Sequence, residues 1–329
     1  MAPIGRHGPS RKFSGQVTIG VDVGGTKIAG GVVDEAGKVH QDIRVETENT
    51  STDAIVDGIV EVVEQLQEAE GERAASVGIA AAGYIDAGRS TVLFAPNLVW
   101  RNTPLRDLVS DRVGLPVIVE NDANAAAWGE FVFGAGQGVD DMLMLTVGTG
   151  LGGGIVTDGD LYRGSFGIGA ELGHMRVVVD GHRCGCGNRG CWEVYASGTA
   201  LVREARALAE SGSPRAGAIL ELAGGNPAEI EGAMITEAAR HNDSAAIELL
   251  EDLGRWLGEG IASVTAILDP GRVVVGGGVA EAGDLLFAPA REAFARQLTG
   301  RGYRPVLTIV GAELDNAGIV GAADLARVD

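Results

Sequence analysis

Short apolar runs separated by glycine-rich turns dominate the N-terminal half of the chain. The runs at residues 17–23, 28–34 and 39–47 predict three consecutive strands, with a Gly-Gly-Thr turn between the first two. Apolar residues recur every three or four positions over residues 52–69, which predicts an amphipathic helix. The pattern continues with a strand, a helix and a strand at residues 76–82, 104–113 and 116–120.

The strand–turn–strand pattern restarts after Asp141. Strands are expected at residues 142–147 and 152–157, and the sequence Val-Gly-Gly-Thr at 23–26 aligns with Val-Gly-Thr-Gly at 147–150. This alignment predicts a repeated hairpin in two α/β halves. The remaining elements are a long helix at residues 244–268 and a strand at 272–275 that ends in three glycines. A helix, a strand at residues 306–310 and a final helix follow.

Two α/β lobes around a central cleft are the simplest assembly of these elements. We expect a flexible tail at residues 1–15, a small lobe at 16–121 and a large lobe at 122–313. The last helix, at about residues 314–327, is expected to pack on the small lobe.

Composition narrows the possible partners. The 329 residues are 45% hydrophobic and 22% charged, as in a folded globular protein, and the net charge is −19. No basic patch of the kind that binds nucleic acid is visible, and no apolar run approaches a membrane span. The basic residues near the start are not followed by an apolar signal core, so we expect a cytoplasmic protein.

The first glycine turn is a candidate phosphate site. Asp22 ends a strand, and Gly24, Gly25, Thr26 and Lys27 follow. Backbone N–H groups and the lysine suit a phosphate, and the carboxylate suits hydrated Mg²⁺. An ordinary hairpin turn remains the alternative interpretation.

A second glycine turn lies at residues 146–154. It contains Gly-x-Gly-x-x-Gly at Gly148, Gly150 and Gly153, but a strand follows instead of the helix that a dinucleotide site needs. The P-loop pattern is also missing from the sequence. Two hairpin turns that hold one polyphosphate are the better interpretation, with the glycines of 276–278 near the adenosine. The residues expected to bind ATP·Mg²⁺ are Asp22, Gly24, Gly25, Thr26, Lys27, Thr149, Gly150, Gly276, Gly277 and Gly278.

Asp122 starts an alanine-rich helix directly after a strand. A carboxylate there can cap the helix, or it can act as a general base that takes a proton from a sugar hydroxyl during phosphoryl transfer. Asn121 can hydrogen-bond neighbouring hydroxyls. The two interpretations of Asp122 are compatible, and both remain open at this point.

All three cysteines of the chain lie within eight positions. Cys184, Cys186 and Cys191 follow His174, and together they form a complete Cys₃His set of the kind that closes a structural Zn²⁺ site. Three reduced thiols in a loop are the alternative. A closed site does not perform chemistry, so the metal is expected to fix the loop that carries Glu171 and Glu193.

These segments resemble the ROK family of repressors and sugar kinases, and within it the zinc-containing glucokinases of actinobacterial type. The resemblance runs from about residue 17 to 326 and rests on residues 22–27, 120–124, 146–154, 171–174 and 184–193. It implies a two-lobed actin-like fold, related to hexokinase, Hsp70 ATPase domains and ribonuclease H. It also implies transfer of the ATP γ-phosphoryl group to O6 of glucose, with Asp122 as the base.

The resemblance further implies which side chains contact the sugar and the metal. Glucose is expected to bind Asn97, Asn121, Asp122, Glu171, His174 and Glu193. Zinc is expected to bind His174, Cys184, Cys186 and Cys191. His174 could contact both ligands through its two ring nitrogens, or serve the metal alone.

Several alternatives remain. The sugar could be mannose or an N-acetylated hexosamine, and the donor could be inorganic polyphosphate. A sugar-sensing protein without catalysis is a further candidate. Fifteen N-terminal residues cannot build the DNA-binding module of the family's repressors, so we expect no repressor. Relatives form dimers or tetramers, and we expect a homo-oligomer.

Overall fold

The computed structural model describes residues 12–13, 15–70 and 74–328. Most of the predicted tail at residues 1–15 lies outside this part of the chain. Contacts group the described chain into two compact units. The first contains the chain up to Met144, Gly154–Ala170 and the chain from Ala312, and the second contains Leu145–Gly153 and Glu171–Gly311. The predicted lobe boundary at residues 121/122 stays a prediction.

The described residues form α-helices and strands in an α/β order. The strands are β1 Thr18–Val23, β2 Lys27–Val33, β3 Val39–Glu46, β4 Val77–Ala81, β5 Tyr84–Ile85, β6 Val92–Phe94, β7 Arg101–Thr103, β8 Val117–Asn121, β9 Met142–Val147, β10 Leu151–Thr157, β11 Asp160–Leu161, β12 Arg272–Gly276 and β13 Thr308–Gly311. The helices are α1 Thr52–Glu70, α2 Leu105–Val113, α3 Asp122–Phe133, α4 Gly198–Glu210, α5 Gly217–Leu222, α6 Gly232–Arg240, α7 Ser244–Leu268, α8 Asp284–Gln297 and α9 Ala317–Leu325.

The first unit is built on a five-stranded sheet in the order β3-β2-β1-β4-β8. Strands β1 and β2 form an antiparallel hairpin, and β4 and β8 run parallel to β1. Helix α9 lies directly on this sheet because Gly20 and Gly78 have no side chain. A Cβ atom at Gly20 would stand 1.9 Å from the carbonyl oxygen of Ile319, and one at Gly78 would stand 1.8 Å from that of Ala322.

A second five-stranded sheet has the order β11-β10-β9-β12-β13. Its hairpin β10-β9 occupies the same place in the strand order as β2-β1 in the first sheet, so the repeat predicted from the two glycine turns is confirmed. Strands β12 and β13 are parallel, and α7 packs along α8 through glycine positions such as Gly258. Among the described residues, no helix is both long and apolar enough to span a bilayer.

The structure adds elements that the hydrophobic pattern did not predict. A small sheet of β5, β6 and β7 follows β4, and three helices, α4 to α6, occupy residues between 198 and 240. The strand predicted at residues 306–310 begins instead at Thr308. The short strands were missed because each has only two or three residues, too few for a period to be recognised.

Candidate active site

The first glycine turn joins β1 to β2. The N–H of Gly24 donates to the carbonyl oxygen of Lys27 at 2.9 Å, and the hydroxyl of Thr47 donates to the carbonyl oxygen of Gly24 at 2.8 Å. Thr26 and Lys27 are exposed. The turn therefore has a fixed backbone and presents an ammonium group to solvent, as a phosphate site requires.

Asp22 and Asp122 lie close enough in the first unit to interact electrostatically. The pKa of Asp22 is raised to about 6, mainly by burial and also by the negative charge of Asp122, while the positive charge of Lys27 opposes the increase. Burial also raises the pKa of Asp122. Two buried carboxylates whose negative charges lie close together favour a divalent cation, since oxygen ligands are those that Mg²⁺ prefers.

Replacing Asp22 with asparagine should stabilise the metal-free protein at neutral pH. The raised pKa means that the folded state holds the proton more tightly than the unfolded state, so stability falls as pH rises from about 4 through about 6. At neutral pH the variant should gain up to about 3 kcal/mol over the wild type, and at about pH 4 the gain should vanish. Urea denaturation in EDTA at both pH values measures the free energy of unfolding of the variant and the wild type. An equal difference between the two proteins at both pH values would contradict the raised pKa of Asp22.

Asn121, and not Asp122, caps helix α3. The Asn121 carboxamide oxygen accepts a hydrogen bond from the N–H of Asn124 at 3.0 Å. The Asn121 amide nitrogen donates to the carbonyl oxygen of Gly83 at 3.1 Å and to Asp122 Oδ1 at 3.0 Å. The interpretation of Asp122 as the N-cap is therefore wrong: Asp122 is the first residue of α3, and its half-buried carboxylate interacts with the backbone N–H groups of Asp122 and Ala123.

Glu120 holds the segment that carries Asp122. Its carboxylate is fully buried, with Arg163 Nε at 2.7 Å and Arg89 Nε at 3.1 Å from Oε2. Oε1 accepts the N–H of Asn121 at 2.9 Å and the side-chain amide of Asn124 at 3.2 Å. Arg163 also donates to the carbonyl oxygens of Asp86 and Ala87. The Glu120 cluster thus fixes the start of α3 in place.

Neutralising Glu120 should strongly destabilise the protein. Glu120→Gln leaves the guanidinium groups of Arg89 and Arg163 without their buried counter-charge, and such a loss costs about 3–5 kcal/mol. The matched control is Glu248→Gln, which breaks a solvent-exposed pair with Arg215 and should leave the free energy of unfolding nearly unchanged. Urea denaturation of both variants at neutral pH measures the difference, and similar values for the two would refute this role of Glu120.

Asn97 lies beside the first glycine turn. A Cβ atom at Gly25 would stand 3.5 Å from the carbonyl oxygen of Asn97. The side chain of Asn49 holds the Asn97 segment, because its amide donates to the Asn97 carbonyl oxygen at 2.9 Å and its oxygen accepts the N–H of Val99 at 3.1 Å. Within the first unit, the structure therefore brings Asn97 to the turn and leaves its side chain exposed.

The second glycine turn belongs to the second unit. Gly148 N–H donates to the carbonyl oxygen of Gly150 at 3.0 Å, and the N–H of Leu151 donates to Glu193 Oε2 at 3.3 Å. Gly277 supports the turn from β12, since a Cβ atom there would stand 2.5 Å from the carbonyl oxygen of Val147. The turn and Glu193, which were predicted to contact different ligands, are neighbours.

His174, Cys184, Cys186 and Cys191 form a compact cluster in the same unit, with their ligand atoms within 4.8 Å of one another. Cys184 Sγ lies 3.6 Å from His174 Nδ1, and Cys186 Sγ lies 3.6 Å from Cys191 Sγ. Tetrahedral Zn²⁺ with Zn–S near 2.3 Å requires separations of roughly 3.6–3.8 Å between ligand atoms. The cluster can therefore hold a metal ion, and its donor set fits zinc.

The two ring nitrogens of His174 face different groups. Nδ1 is directed to the thiols, whereas Nε2 lies 3.9 Å from Glu171 Oε2. The His174 and Glu171 side chains are 29% and 38% exposed, so both face the surface beside the cluster. The geometry is thus compatible with a histidine that binds metal on one side and a hydroxyl on the other.

An open cavity of about 1040 Å³ lies in the second unit. The second glycine turn and the Gly278 segment form one side of it through Gly148, Thr149 and Gly278, and helices α4 and α6 form the other. Of the nucleotide residues predicted in this unit, Thr149 and Gly278 line the cavity, while Gly150, Gly276 and Gly277 are not among its lining residues.

Sequence analysis did not find the α4 and α6 wall of this cavity. It includes Arg203, Arg206, Glu231 and Arg240. Two signals were available: the amphipathic spacing of Ala200, Leu201, Ala205 and Ala209 in α4, and Ser197, which caps that helix by accepting the N–H of Ala200.

A family model described as the ROK family matches residues 18–328. The chain belongs to the ROK family. This ROK protein is 51% identical over 312 residues to a protein named glucokinase from Streptomyces coelicolor, covering 94% of this chain and 98% of the relative. The resemblance inferred from the glycine turns and the cysteine cluster is therefore confirmed.

Two solved structures extend the comparison. A ROK family glucokinase from Streptomyces griseus, in complex with glucose and AMPPNP, is 52% identical and superposes with a TM-score of 0.87, covering 94% of this chain and 99% of that one. A ROK hexokinase from Thermus thermophilus is 34% identical with a TM-score of 0.78, and the coverage is 94% and 97%. The predicted fold class, an α/β fold of the two-lobed actin-like type, is confirmed for this ROK protein.

Proposed function

We propose that this protein is an ATP-dependent glucokinase that transfers the γ-phosphoryl group of ATP to O6 of glucose. The observation that carries the proposal is the Asp122 carboxylate, which Asn121 relieves of capping and which burial makes more basic than an ordinary aspartate. The similarity of this protein to named glucokinases over nearly the whole chain supports glucose as the substrate.

Asp122 is the general base of the proposed reaction. Its carboxylate takes the proton of the O6 hydroxyl as the O6–Pγ bond forms and the bond between Pγ and the β–γ bridging oxygen breaks. ADP leaves, and the carboxylic acid then returns its proton to water. Asn121 donates to Asp122 Oδ1 and keeps the carboxylate oriented.

Sugar contacts are proposed in each unit separately. In the first unit these are Asn97, with its exposed carboxamide, and Asn121, whose oxygen keeps one lone pair beyond its capping bond. In the second unit they are Glu171, His174 through Nε2, and Glu193. Carboxylates and amides match vicinal hydroxyls because each accepts or donates hydrogen bonds at short range.

The nucleotide is proposed to use both glycine turns and the cavity of the second unit. The size of the cavity and its mixed lining of apolar and charged residues suit a nucleoside, and the Gly148–Thr149 turn lies at its edge. Gly24, Gly25, Thr26 and Lys27 are proposed for the phosphates. Mg²⁺, when bound, neutralises phosphate charge, and we propose that Asp22 holds its hydrated ion.

Zinc is the metal that we propose for the Cys₃His cluster. Four protein ligands leave no open position, so the ion would stabilise the loop and take no part in phosphoryl transfer. The loop carries three of the proposed sugar contacts, Glu171, His174 and Glu193, which is why its order matters for glucose binding.

A homo-oligomer is proposed on the basis of an exposed apolar surface in the second unit. Ile267 is 77% exposed at the end of α7, and Tyr303 and Val306 are 97% and 66% exposed in the segment that Arg304 ties to Asp269. Surfaces of this kind commonly meet a partner. Sedimentation equilibrium of the wild type and of Tyr303→Ser measures their oligomeric states. A monomeric wild type would contradict the proposed homo-oligomer.

Specificity is tested by comparing acceptors and donors. ADP release is measured with Mg²⁺-ATP and glucose, mannose, fructose or N-acetylglucosamine, and inorganic polyphosphate replaces ATP in a parallel series. We expect the highest kcat/KM with glucose and ATP. A higher value with another hexose, or with polyphosphate, would replace the substrate or the donor and leave the role of Asp122 intact. Glucose binding without turnover would instead indicate a sugar-sensing protein.

A further inference from the structure

The Glu193 carboxylate connects the cysteine cluster to the second glycine turn. Oε2 accepts the N–H of Leu151 at 3.3 Å, and Oε1 lies 3.5 Å from Cys184 Sγ. The fit is close, because a Cβ atom at Gly150 would stand only 2.4 Å from Oε2. One side chain thus contacts a proposed metal ligand with one oxygen and the backbone of a proposed nucleotide turn with the other.

The chain that follows Glu193 contacts the same turn twice more. The N–H of Gly198 donates to the carbonyl oxygen of Gly148, and the hydroxyl of Thr199 donates to that of Thr149, both at 2.7 Å. Arg203 of helix α4 donates to the carbonyl oxygen of Val194 at 2.9 Å and lines the cavity. The segment from Glu193 to Arg203 therefore forms a continuous connection from the cysteine cluster to the cavity wall.

Trp192 keeps this connection stiff. Its side chain is fully buried, and its indole N–H donates to the carbonyl oxygen of Trp256 at 2.9 Å. The ring packs against helix α7 where Gly260 leaves room, since a Cβ atom there would stand 2.1 Å from it. Because Trp192 is fixed between Cys191 and Glu193, a metal ion that holds Cys191 restricts the backbone on which Glu193 sits.

We propose that Glu193 is a positioning residue that couples metal binding at the cysteine cluster to nucleotide binding at the second glycine turn. The inference rests on the proposed function, since it takes the cavity beside the turn as the nucleotide site. Metal bound by His174 and the three cysteines orders the Glu193 carboxylate, and the carboxylate holds the Gly150–Leu151 backbone in the form that accepts phosphates. The metal therefore increases nucleotide affinity even when no sugar is present.

The size and the symmetry of the effect follow from general principles. Mutation of residues that contact metal ligands typically lowers metal affinity or activity by about 10–100-fold. If the coupling is of similar size, metal removal should lower nucleotide affinity by at least about tenfold. Coupling between two binding equilibria is reciprocal. The nucleotide must then increase zinc affinity by the same factor, which a purely local, structural role of the metal loop would not produce.

Calorimetric titration with the ATP analogue AMPPNP, in Mg²⁺ and without sugar, tests the proposal on the full chain. Zinc-loaded wild type is compared with protein stripped by a chelator, and circular dichroism verifies that both are folded. We expect AMPPNP to bind about tenfold more weakly to the stripped protein. In Glu193→Ala the affinity should be low with or without zinc, and Glu193→Gln should restore part of the metal effect because its amide oxygen can accept the Leu151 N–H.

Asp180→Asn is the matched control. It neutralises an exposed carboxylate of the same loop at a position whose positive φ asparagine also adopts, so the tenfold effect of zinc on AMPPNP should persist. Equal AMPPNP affinity in stripped and loaded wild type, or a full zinc effect in Glu193→Ala, would overturn the coupling alone. No AMPPNP binding by zinc-loaded wild type would overturn the nucleotide site itself and, with it, the proposed kinase function.

Discussion

Replacing Asp122 with asparagine or alanine should lower kcat by about 10²–10⁴-fold, the usual contribution of a positioned general base. The fold should survive the change, because Asn121 rather than Asp122 caps α3 and Glu120 fixes the preceding residues. Burial raises the pKa of Asp122, so its ionised form is unfavourable in the folded state. Asp122→Asn should therefore be at least as stable as the wild type at neutral pH.

Steady-state kinetics, with urea denaturation of the same samples, separate catalysis from folding. The control is Asp111→Asn, which neutralises an exposed carboxylate of α2 and should retain wild-type kcat. The raised pKa of Asp122 also predicts that kcat/KM of the wild type begins to fall, as the pH is lowered, at a pH above the pKa of an ordinary aspartate. Near-normal kcat in Asp122→Asn, or loss of activity only through unfolding, would remove Asp122 from the reaction.

Replacing Cys186 with serine should cost the protein its metal and raise KM for glucose by about 10–100-fold. Cys186 Sγ lies 3.6 Å from Cys191 Sγ. Loss of the Cys186 thiol leaves three ligands where a closed site needs four. Without the ion, the loop that carries Glu171, His174 and Glu193 loses the bonds that join His174 to the three cysteines. Zinc per chain by atomic absorption and KM for glucose measure both effects.

Arg183→Ser is the control for this change, since Arg183 is an exposed neighbour of the cluster whose side chain is not among its possible ligands. It should keep one zinc per chain and an unchanged KM. The role assigned to the cluster would be wrong if wild type purified without chelator contained no zinc, or if Cys186→Ser kept normal glucose kinetics after losing it.

Local patterns allowed much of this site to be predicted. The turns at 24–26 and 148–150 and the Cys₃His set could be identified because their residues are adjacent in sequence, and glycine, lysine and cysteine have specific chemistry at such spacing. The capping role of Asn121 could not be separated from that of Asp122, since either side chain could accept the first N–H groups of α3.

The rest depends on contacts between distant residues. Arg89, Glu120 and Arg163 have no spacing that links them, yet the fold buries them together. The cavity wall depends on tertiary contacts for a different reason: α4 and α6 are amphipathic helices, and nothing in their local sequence shows that they face Gly148. The bridge from Glu193 to Leu151 likewise exists only once the chain has folded.

Phosphorylation at O6 is the central claim, and a comparison of glucose with 6-deoxyglucose tests it most directly. Zinc-loaded protein is incubated with Mg²⁺-ATP and either sugar, and ADP release and the phosphorus NMR spectrum of the product are recorded. The account predicts rapid ADP release and glucose 6-phosphate with glucose, and no sugar phosphate with 6-deoxyglucose. A sugar phosphate from 6-deoxyglucose, or glucose binding with no phosphorylated product, would contradict it.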